Sequence, residues 1–491
     1  MSGRLRLTRL AAAAGLACWL SACMVGPDFR RPELALPERY ARADASVTKP
    51  VSSVDAPAAS AASDPSSKPL GRDADLAFWQ GFGDAQLSRL ITMAFDANQD
   101  VKLAVSRHDA ANALLGEARF DLLPTITASG QVGRQLLSRS QAFGAPRDQR
   151  DTAISSGGIN ASWELDLFGR VRRGVESQRA SAAASAADLR AVRVAIAADV
   201  ASAYVDLRGS QTRLTVAREN ADNQRSTLAL VEARVAAGRG SELDAARARS
   251  QFESTSSRIA FYQAAVGVDQ HRLAVLTGQA PEALIAELET PAALPALAAT
   301  LDPGTPGELL RRRPDIAAAE ARLHAATAQV GVATADLFPR FTLSGLLGSA
   351  TAGYGVFGTG SDTHLAALGV DWSFLDVGRV RARIAASRAD AAGQLAQYRQ
   401  TVLLALEDTE NALLHVGRTR EESGHLDQAA TDSTRAAQLA RARFEAGAIG
   451  YYEVLDAQGA RLQAEDAAVE GRMRRAQASV DLYRALAGGW D

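Results

Sequence analysis

Residues able to do acid–base or electrostatic work recur in one setting along this chain, just past a glycine turn. "GSELD" (240–244) carries Glu242 and Asp244; "GYYEVLD" (450–456) carries Tyr452, Glu453 and Asp456. Glu453 lies three residues before Asp456, so both carboxylates share one face of a helix. Two readings of such acids stand. First-turn carboxylates stabilise the positive end of a helix dipole. Gathered from several chains by symmetry, they would instead repel, raise one another's pKa and attract cations. No other group forms a catalytic set. The six histidines (108, 271, 324, 364, 415, 425) lack metal-ligand spacing, and no serine, cysteine or carboxylate constellation offers a nucleophile with its base. The expectation is a protein that is not an enzyme and holds no metal. The glycines of "GSATAGYGVFGTG" (348–360) lack the strand-turn-helix context of a phosphate loop and read as an external hairpin loop. The arginines of "RRRPD" (311–315) read as a basic patch or, more simply, as solvated or locally paired charges.

The acids sit where very long helical stretches turn back. One stretch runs from Gly169 to the "RVAAG" ending at Gly238, the other from Gly378 to the "RFEAG" ending at Gly447. At about 1.5 Å per residue each is roughly 100 Å of helix. In the first, Ile196, Val200, Ala203, Leu207, Ser210, Leu214, Ala217, Ala221, Gln224, Leu228, Val231 and Val235 alternate four- and three-residue steps. That is a heptad seam, which makes a helix supercoil on its neighbours. The second uses smaller residues, including Ala412, Val416, Ala430, Ala437 and Ala440. The spacing predicts long helices over about 170–237 and 379–446, with return helices over about 241–276 and 451–486.

Ahead of each long helix the period falls to two. "TITASGQV" (125–132) and "INASWELDL" (159–167) alternate apolar and polar residues, and so does "GVDWSF" (369–374). Strands are expected at about 124–136, 154–168, 339–349 and 364–376, the first pair joined by a polar loop (about 136–153). "WELDLFGRVR" (163–172) and "WSFLDVGRVR" (372–381) mark the same strand-to-helix transition twice, and "LLPTITASG" (122–130) matches "LFPRFTLSG" (337–345). The chain therefore reads as an internal duplication, with repeats over 76–300 and 301–491.

Bulk properties set limits. Of 491 residues, 47% are apolar but only 5% aromatic, so the core must be largely Ala, Leu and Val. A net charge of −2 argues against a nucleic-acid partner. Arg4, Arg6 and Arg9 followed by "LAAAAGLACWL" (10–20) form an export signal, residues 1–22. "LSAC" (20–23) resembles the lipobox of bacterial lipoproteins, which implies cleavage after Ala22 and lipid on Cys23 as a diacylglycerol thioether with an N-acyl chain. Residues 23–75 then form a lipid-anchored segment with a Ser/Pro/Ala-rich tether. No later run is long and apolar enough for a transmembrane helix. A membrane crossing must use β-strands, and four strands cannot close a barrel. Three chains would supply twelve, a number that closes. The polar strand residues Thr125, Ser129, Asn160, Glu164, Asp166 and Asp371 would line a wet lumen, and Trp163 and Trp372 would lie at the membrane interface.

Four segments carry a family resemblance: "LSACMVGPDFRRPELALP", "FWQGFGDAQLSRLI" (78–91), "LLRRRPDIAAAEARLHAATAQVGVATADLFP" (309–339) and "RFEAGAIGYYEVLDAQGARLQAE" (443–465). Together they resemble the TolC/OprM/NodT-type outer-membrane efflux lipoproteins across nearly the whole mature chain. The resemblance implies an α+β membrane fold: a trimeric twelve-stranded β-barrel, a long coiled α-helical barrel and a mixed equatorial region. It implies an outer-membrane duct carrying drugs or other small toxic compounds from a periplasmic membrane-fusion adaptor and an inner-membrane transporter of the RND type. It also implies a gate at the periplasmic helix tips. Asp456 matches a ring-forming aspartate of the family, and Tyr452 stands where relatives carry an apolar gate ring. Phe444 and Ile449 replace gate-bracing Tyr and Arg of some members. The alternatives are a duct for type I protein secretion on the same fold, or a non-conducting periplasmic coiled-coil spacer, against which the amphipathic strands argue.

Overall fold

The computed structural model describes residues 24–41, 79–295, 304–353, 355–356 and 358–486. The export signal, Cys23 and most of the Ser/Pro/Ala-rich tether lie outside them. Within each repeat a medium helix leads into two strands, then a very long helix, then a return helix. In the first these are α2 (Gln99–Phe120), β1 (Thr125–Leu136), β2 (Asp151–Leu165), α3 (Arg170–Ala236) and α4 (Glu242–Leu276), preceded by α1 (Ala85–Ala97). In the second they are α5 (Pro314–Ala335), β3 (Arg340–Thr351), β4 (Asp362–Asp371), α6 (Val377–Glu445) and α7 (Tyr451–Leu486). α2 and α5 have 22 residues each, β1 and β3 12 each, and α3 and α6 67 and 69. The duplication read from the motifs is thus built element by element. Among the described residues no helix is long and apolar enough to cross a membrane.

The chain divides into two compact units. Of the described residues, the first comprises those within 24–33, 107–186 and 318–400. It holds one sheet in the order β1-β2-β3-β4, antiparallel throughout. Register sorts most of the side chains, because residues directly opposite share a face, with Leu346 and Leu365 as apolar exceptions on the polar side. Ile126, Ile159, Leu347 and Leu343 fall with Trp163, Leu368 and Val370 on one face. Thr125, Thr127 and Ser129 fall with Asn160, Ser162 and Ser344 on the other, where Asn160 Nδ2 donates to Ser129 Oγ at 2.9 Å. The apolar face is open: Ile126, Leu347 and Leu368 are 69%, 71% and 60% exposed.

Several strand ends differ from the sequence expectation. β2 begins at Asp151 and stops at Leu165. It starts early because the β1–β2 loop (137–150) is pinched shut at its neck, by Leu137 N–H to Arg150 C=O and by Arg150 Nη1 to Leu137 C=O, at 2.9 and 2.8 Å. It stops early because Asp166 is taken by the next helix. Its carboxylate accepts the backbone N–H of Arg172 at 2.8 Å, satisfying a donor that a helix start leaves orphaned. Asp166 is therefore not a strand residue lining a lumen. β4 ends at Asp371, so Trp372 and Phe374 lie past the strand, and α6 starts two residues earlier than its apolar period suggested.

The second unit comprises the described residues within 34–106, 187–317 and 401–486. Its core packs Leu87, Leu90 and Ile91 of α1 against Val200, Tyr204 and Leu207 of α3 and Leu273 of α4, all fully buried or nearly so. Asp84 fixes the entry to α1, accepting from the N–H groups of Gln86 and Leu87 and from Tyr204 Oη at 2.9 Å. The seam of α3 is buried from Ile196 to Gln224, with Leu228 and Val235 half-buried toward its end. Polar ties cross between helices. Arg213 of α3 grips Asp466 of α7 with two hydrogen bonds of 2.8 Å, and Tyr262 of α4 donates to the same carboxylate at 2.9 Å. Burial works to raise Asp466, but the bonds from Arg213 and Tyr262 win and hold it below the ordinary carboxylate range.

Both long helices end alike. Gly238 and Gly447 take φ of +66° and +75°, the left-handed conformation that glycine adopts without strain. The N–H after each reaches back to the arginine carbonyl of the shared R-x-x-A-G landmark, Arg239 to Arg234 at 2.8 Å and Ala448 to Arg443 at 2.9 Å.

Asp269 of α4 gives the unit an acid-sensitive element. Burial pushes its carboxyl up to about 6, opposed by a 3.0 Å hydrogen bond from Ser210 and assisted by the charge of Asp206. A folded-state pKa above the unfolded value means that this group's contribution to stability is present below about 4 and is lost as pH rises toward 6. Asp269→Asn should therefore raise the melting temperature relative to wild type more at pH 7 than at pH 4.5. Equal shifts at the two pH values in a thermal melt would count against this.

Candidate functional site

The acids singled out from sequence lie at one end of the second unit, beside a small apolar knot. Val231 of α3, Ala245 and Ala248 of α4, Phe444 of α6, and Tyr451 and Val454 of α7 are all buried there. The knot orders the tip. Glu242 and Asp244 occupy the first turn of α4, which Ser241 caps by accepting from the N–H of Leu243 at 3.1 Å. Glu453 occupies the first turn of α7, with Asp456 one turn on. Both are exposed, and among the described residues neither makes a hydrogen bond or ion pair. Tyr452 is 60% exposed, with the guanidinium of Arg247 5.7 Å from its ring centre.

The two readings of these acids separate here. Glu453 folds back over its own helix start, its Oε2 3.1 Å from where a side chain on Gly450 would begin. That is the placement expected of a helix-end acid. Asp456 lies beyond the first turn and faces solvent, so the helix-end reading does not account for it. Asp244 is half-buried and acts on its neighbour: burial first, and then its charge, push Tyr451 up to about 12.

The brace of the tip went unread in the sequence. Arg234 stacks its guanidinium 4.0 Å from the ring centre of Phe444 and donates to the Phe444 carbonyl at 3.2 Å. The signal was present, since Arg234 is the arginine of the R-x-x-A-G landmark. Phe444 and the half-buried Ile449 both belong to the knot.

The second predicted pair, Trp163 and Trp372, lies in the first unit. Each indole N–H donates to a leucine carbonyl at the foot of the preceding helix, Trp163 to Leu122 at 3.1 Å and Trp372 to Leu337 at 3.0 Å. Those leucines stand at matching places in the two repeats, two residues before a proline. Each tryptophan thus locks the end of one strand to the start of another where strand becomes helix. Acids tie down the arginines of the adjoining GRVR: Asp166 pairs with Arg172 and Glu164 with Arg170 in the first copy, and Asp376 pairs with Arg379 in the second. Among the described residues no cluster could hold a metal ion.

Residues 90–279 and 305–488 match the outer membrane efflux protein family. The chain belongs to that family. It is 32% identical to the outer membrane protein OprJ of Pseudomonas aeruginosa, over 97% of this chain and 95% of that one. It is 34% identical to the pyoverdine export outer membrane protein OpmQ of the same organism, over 84% and 87%. Among solved structures, the outer-membrane channel OprN superposes with a TM-score of 0.84 at 37% identity, covering 95% of this chain and all of that one. The family resemblance carried by the sequence motifs is borne out, and with it the combination of barrel strands and long coiled helices. As an outer membrane efflux protein the chain is of the transport class.

The tryptophan lock yields a prediction. Trp163→Phe keeps an aromatic ring, though a smaller one, but loses the donor to Leu122, and should lower stability by about 1 kcal/mol. A thermal melt unchanged from wild type would show that the bond contributes nothing.

Proposed function

We propose that three copies of this chain close a twelve-stranded barrel in the outer membrane and extend it as a helical duct into the periplasm. One observation carries this reading: a four-stranded sheet with an apolar face, a polar face and two open edges passes directly into helices of 67 and 69 residues. The apolar face suits lipid and the face bearing Thr125, Ser129, Asn160, Glu164 and Asp371 suits water. Trp163 and Trp372 mark the boundary where the chain leaves the membrane. Cys23 carries the lipid that anchors the mature N-terminus.

In this reading the duct is passive and its periplasmic end is the tip held by Val231, Phe444 and Tyr451. Three-fold symmetry would bring copies of Asp456 together as a ring, with Glu453 and Tyr452 beside it and Glu242 and Asp244 at the neighbouring turn. A periplasmic adaptor and an inner-membrane pump of the RND type would deliver the cargo, drugs or other small toxic compounds. The relative named for pyoverdine export supports small-molecule cargo.

Single-channel recording of the purified protein in lipid bilayers, with its mass measured in detergent, tests this. A conducting trimer is expected, and a well-folded trimer that passes no current would sink the duct. Replacing Asp456 and Glu453 together with Ala should raise conductance and weaken cation preference. Currents indistinguishable from wild type would put the constriction elsewhere.

A further inference from the structure

A groove in the first unit has no part in the duct just proposed. It encloses about 550 Å³; Met24, Leu122, Val175, Ala180 and Ala183 form its apolar wall, and Arg172, Glu176, Arg179 and His324 its polar side. Met24 and Leu122 leave 38% and 40% of their surface open there. Leu122 is the residue whose carbonyl receives the Trp163 indole N–H, so the groove opens at the strand-to-helix boundary.

The start of the described chain is fastened to this groove. Val25 N–H donates to Phe168 C=O at 3.2 Å. Gly169, at φ +82°, lets Met24 lie so close that a side chain there would begin 2.6 Å from Met24 Cγ. Asp28 pairs at 2.6 Å with Arg173, a guanidinium only 2% exposed, which also holds Glu176 at 2.7 Å. His324 stacks on Phe29 with ring centres 4.5 Å apart and bonds to Glu176 at 2.8 Å. Burial works to raise Glu176, but the bonds from His324 and Arg173 prevail and hold its carboxyl below the usual range. These contacts fix the residue that follows Cys23 at the mouth of an apolar groove.

We infer that one acyl chain of the Cys23 lipid lies in this groove. The inference rests on the reading of Cys23 as lipidated. The acyl chain would be tethered one residue from the groove wall, so its effective concentration there is high without any separate association step. Its burial would cover the open apolar surface of Met24 and Leu122. Arg179, exposed and without an ion pair among the described residues, would face the glyceryl esters and nearby headgroups. A free phospholipid offers similar chemistry but would have to give up its own translational freedom to bind.

Photo-crosslinking in intact membranes tests this. A benzophenone amino acid is placed at Ala183, which is exposed and tolerates bulk, and in a second full-length variant at Leu122; the same residue at Leu114, outside the groove, is the control. Mass spectrometry of the digests should find Ala183 and Leu122 peptides joined to the acyl chain of the peptide that begins at Cys23. The adduct should be absent at Leu114 and lost in Cys23→Ser. Capture of free phospholipid instead, or no lipid adduct although Cys23 carries its acyl mass, overturns the inference. A Cys23 peptide of unmodified mass overturns the lipoprotein reading itself, and the groove occupant with it.

Discussion

Backbone hydrogen bonding at the edges of the sheet sets the terms for the rest of the chain. β1 and β4 each have a single neighbour, so one side of each presents unpaired N–H and C=O groups within the chain. In water such edges are a liability, and in lipid each unpaired group costs several kcal/mol. In the proposed trimer their remedy is another copy of the same edges, β4 of one chain beside β1 of the next. The side chains agree with that demand. Burial is lowest on β1 and β4, where most residues are exposed, and greater on the central strands β2 and β3. Glycines 158 and 348 face each other across β2 and β3, where an added side chain would begin 3.2 Å or less from the opposite backbone. The centre of the sheet is finished within the chain and its margins are not.

The strand-to-helix junction is the next constraint, because β2 and β4 must each hand over to a helix about 100 Å long without leaving the helix start unsatisfied. The two repeats share the tryptophan lock but differ in the acids. In the first, Asp166 leaves the strand to accept a helix N–H and to pair with Arg172. In the second, Asp376 sits one place later and reaches Arg379 instead. Either arrangement sets a carboxylate near the positive end of the helix dipole, which is the condition physics imposes. Which arginine receives it is free to drift.

Much of this was legible in the chain itself, and the parts that were not share a cause. The seam of α3 could be read because a heptad pattern has to be buried to persist, and Ile196, Val200 and Leu207 are buried. The strands could be read because period two with one apolar face has few other meanings. The exit of β2 could not, because an aspartate inside an alternating run looks like a strand residue until a helix claims it. Arg173 was equally hidden. It stands in "GRVRRG" beside two other arginines, and only the folded chain brings Asp28 and Glu176 to it. At the tip, position along the sequence located the acids, whereas the stacking of Arg234 on Phe444 joins residues 210 apart and leaves no periodic trace. Patterns report on what a local element must bury, and side-chain partners from distant elements escape them.

Duplication has a further consequence, visible in how unequally the two copies are buried. From Arg170 onward α3 buries every second or third residue, and its seam is enclosed. The corresponding start of α6 is mostly exposed, and Leu403, Leu404 and Leu439 further along leave 61%, 46% and 57% of their surface open. The second copy therefore leaves α6 uncovered as it leaves β4 at an edge of the sheet. Helices need apolar neighbours along their whole length to be stable at this size. If β4 pairs with β1 of the next chain, the helix that follows β4 is carried alongside the helices of that chain's first copy. The same three-fold rotation that completes the sheet would then supply α6 with its missing face. In the proposed trimer, the edge that the first copy leaves open at β1 and the edge and helix that the second leaves open at β4 and α6 would be completed together.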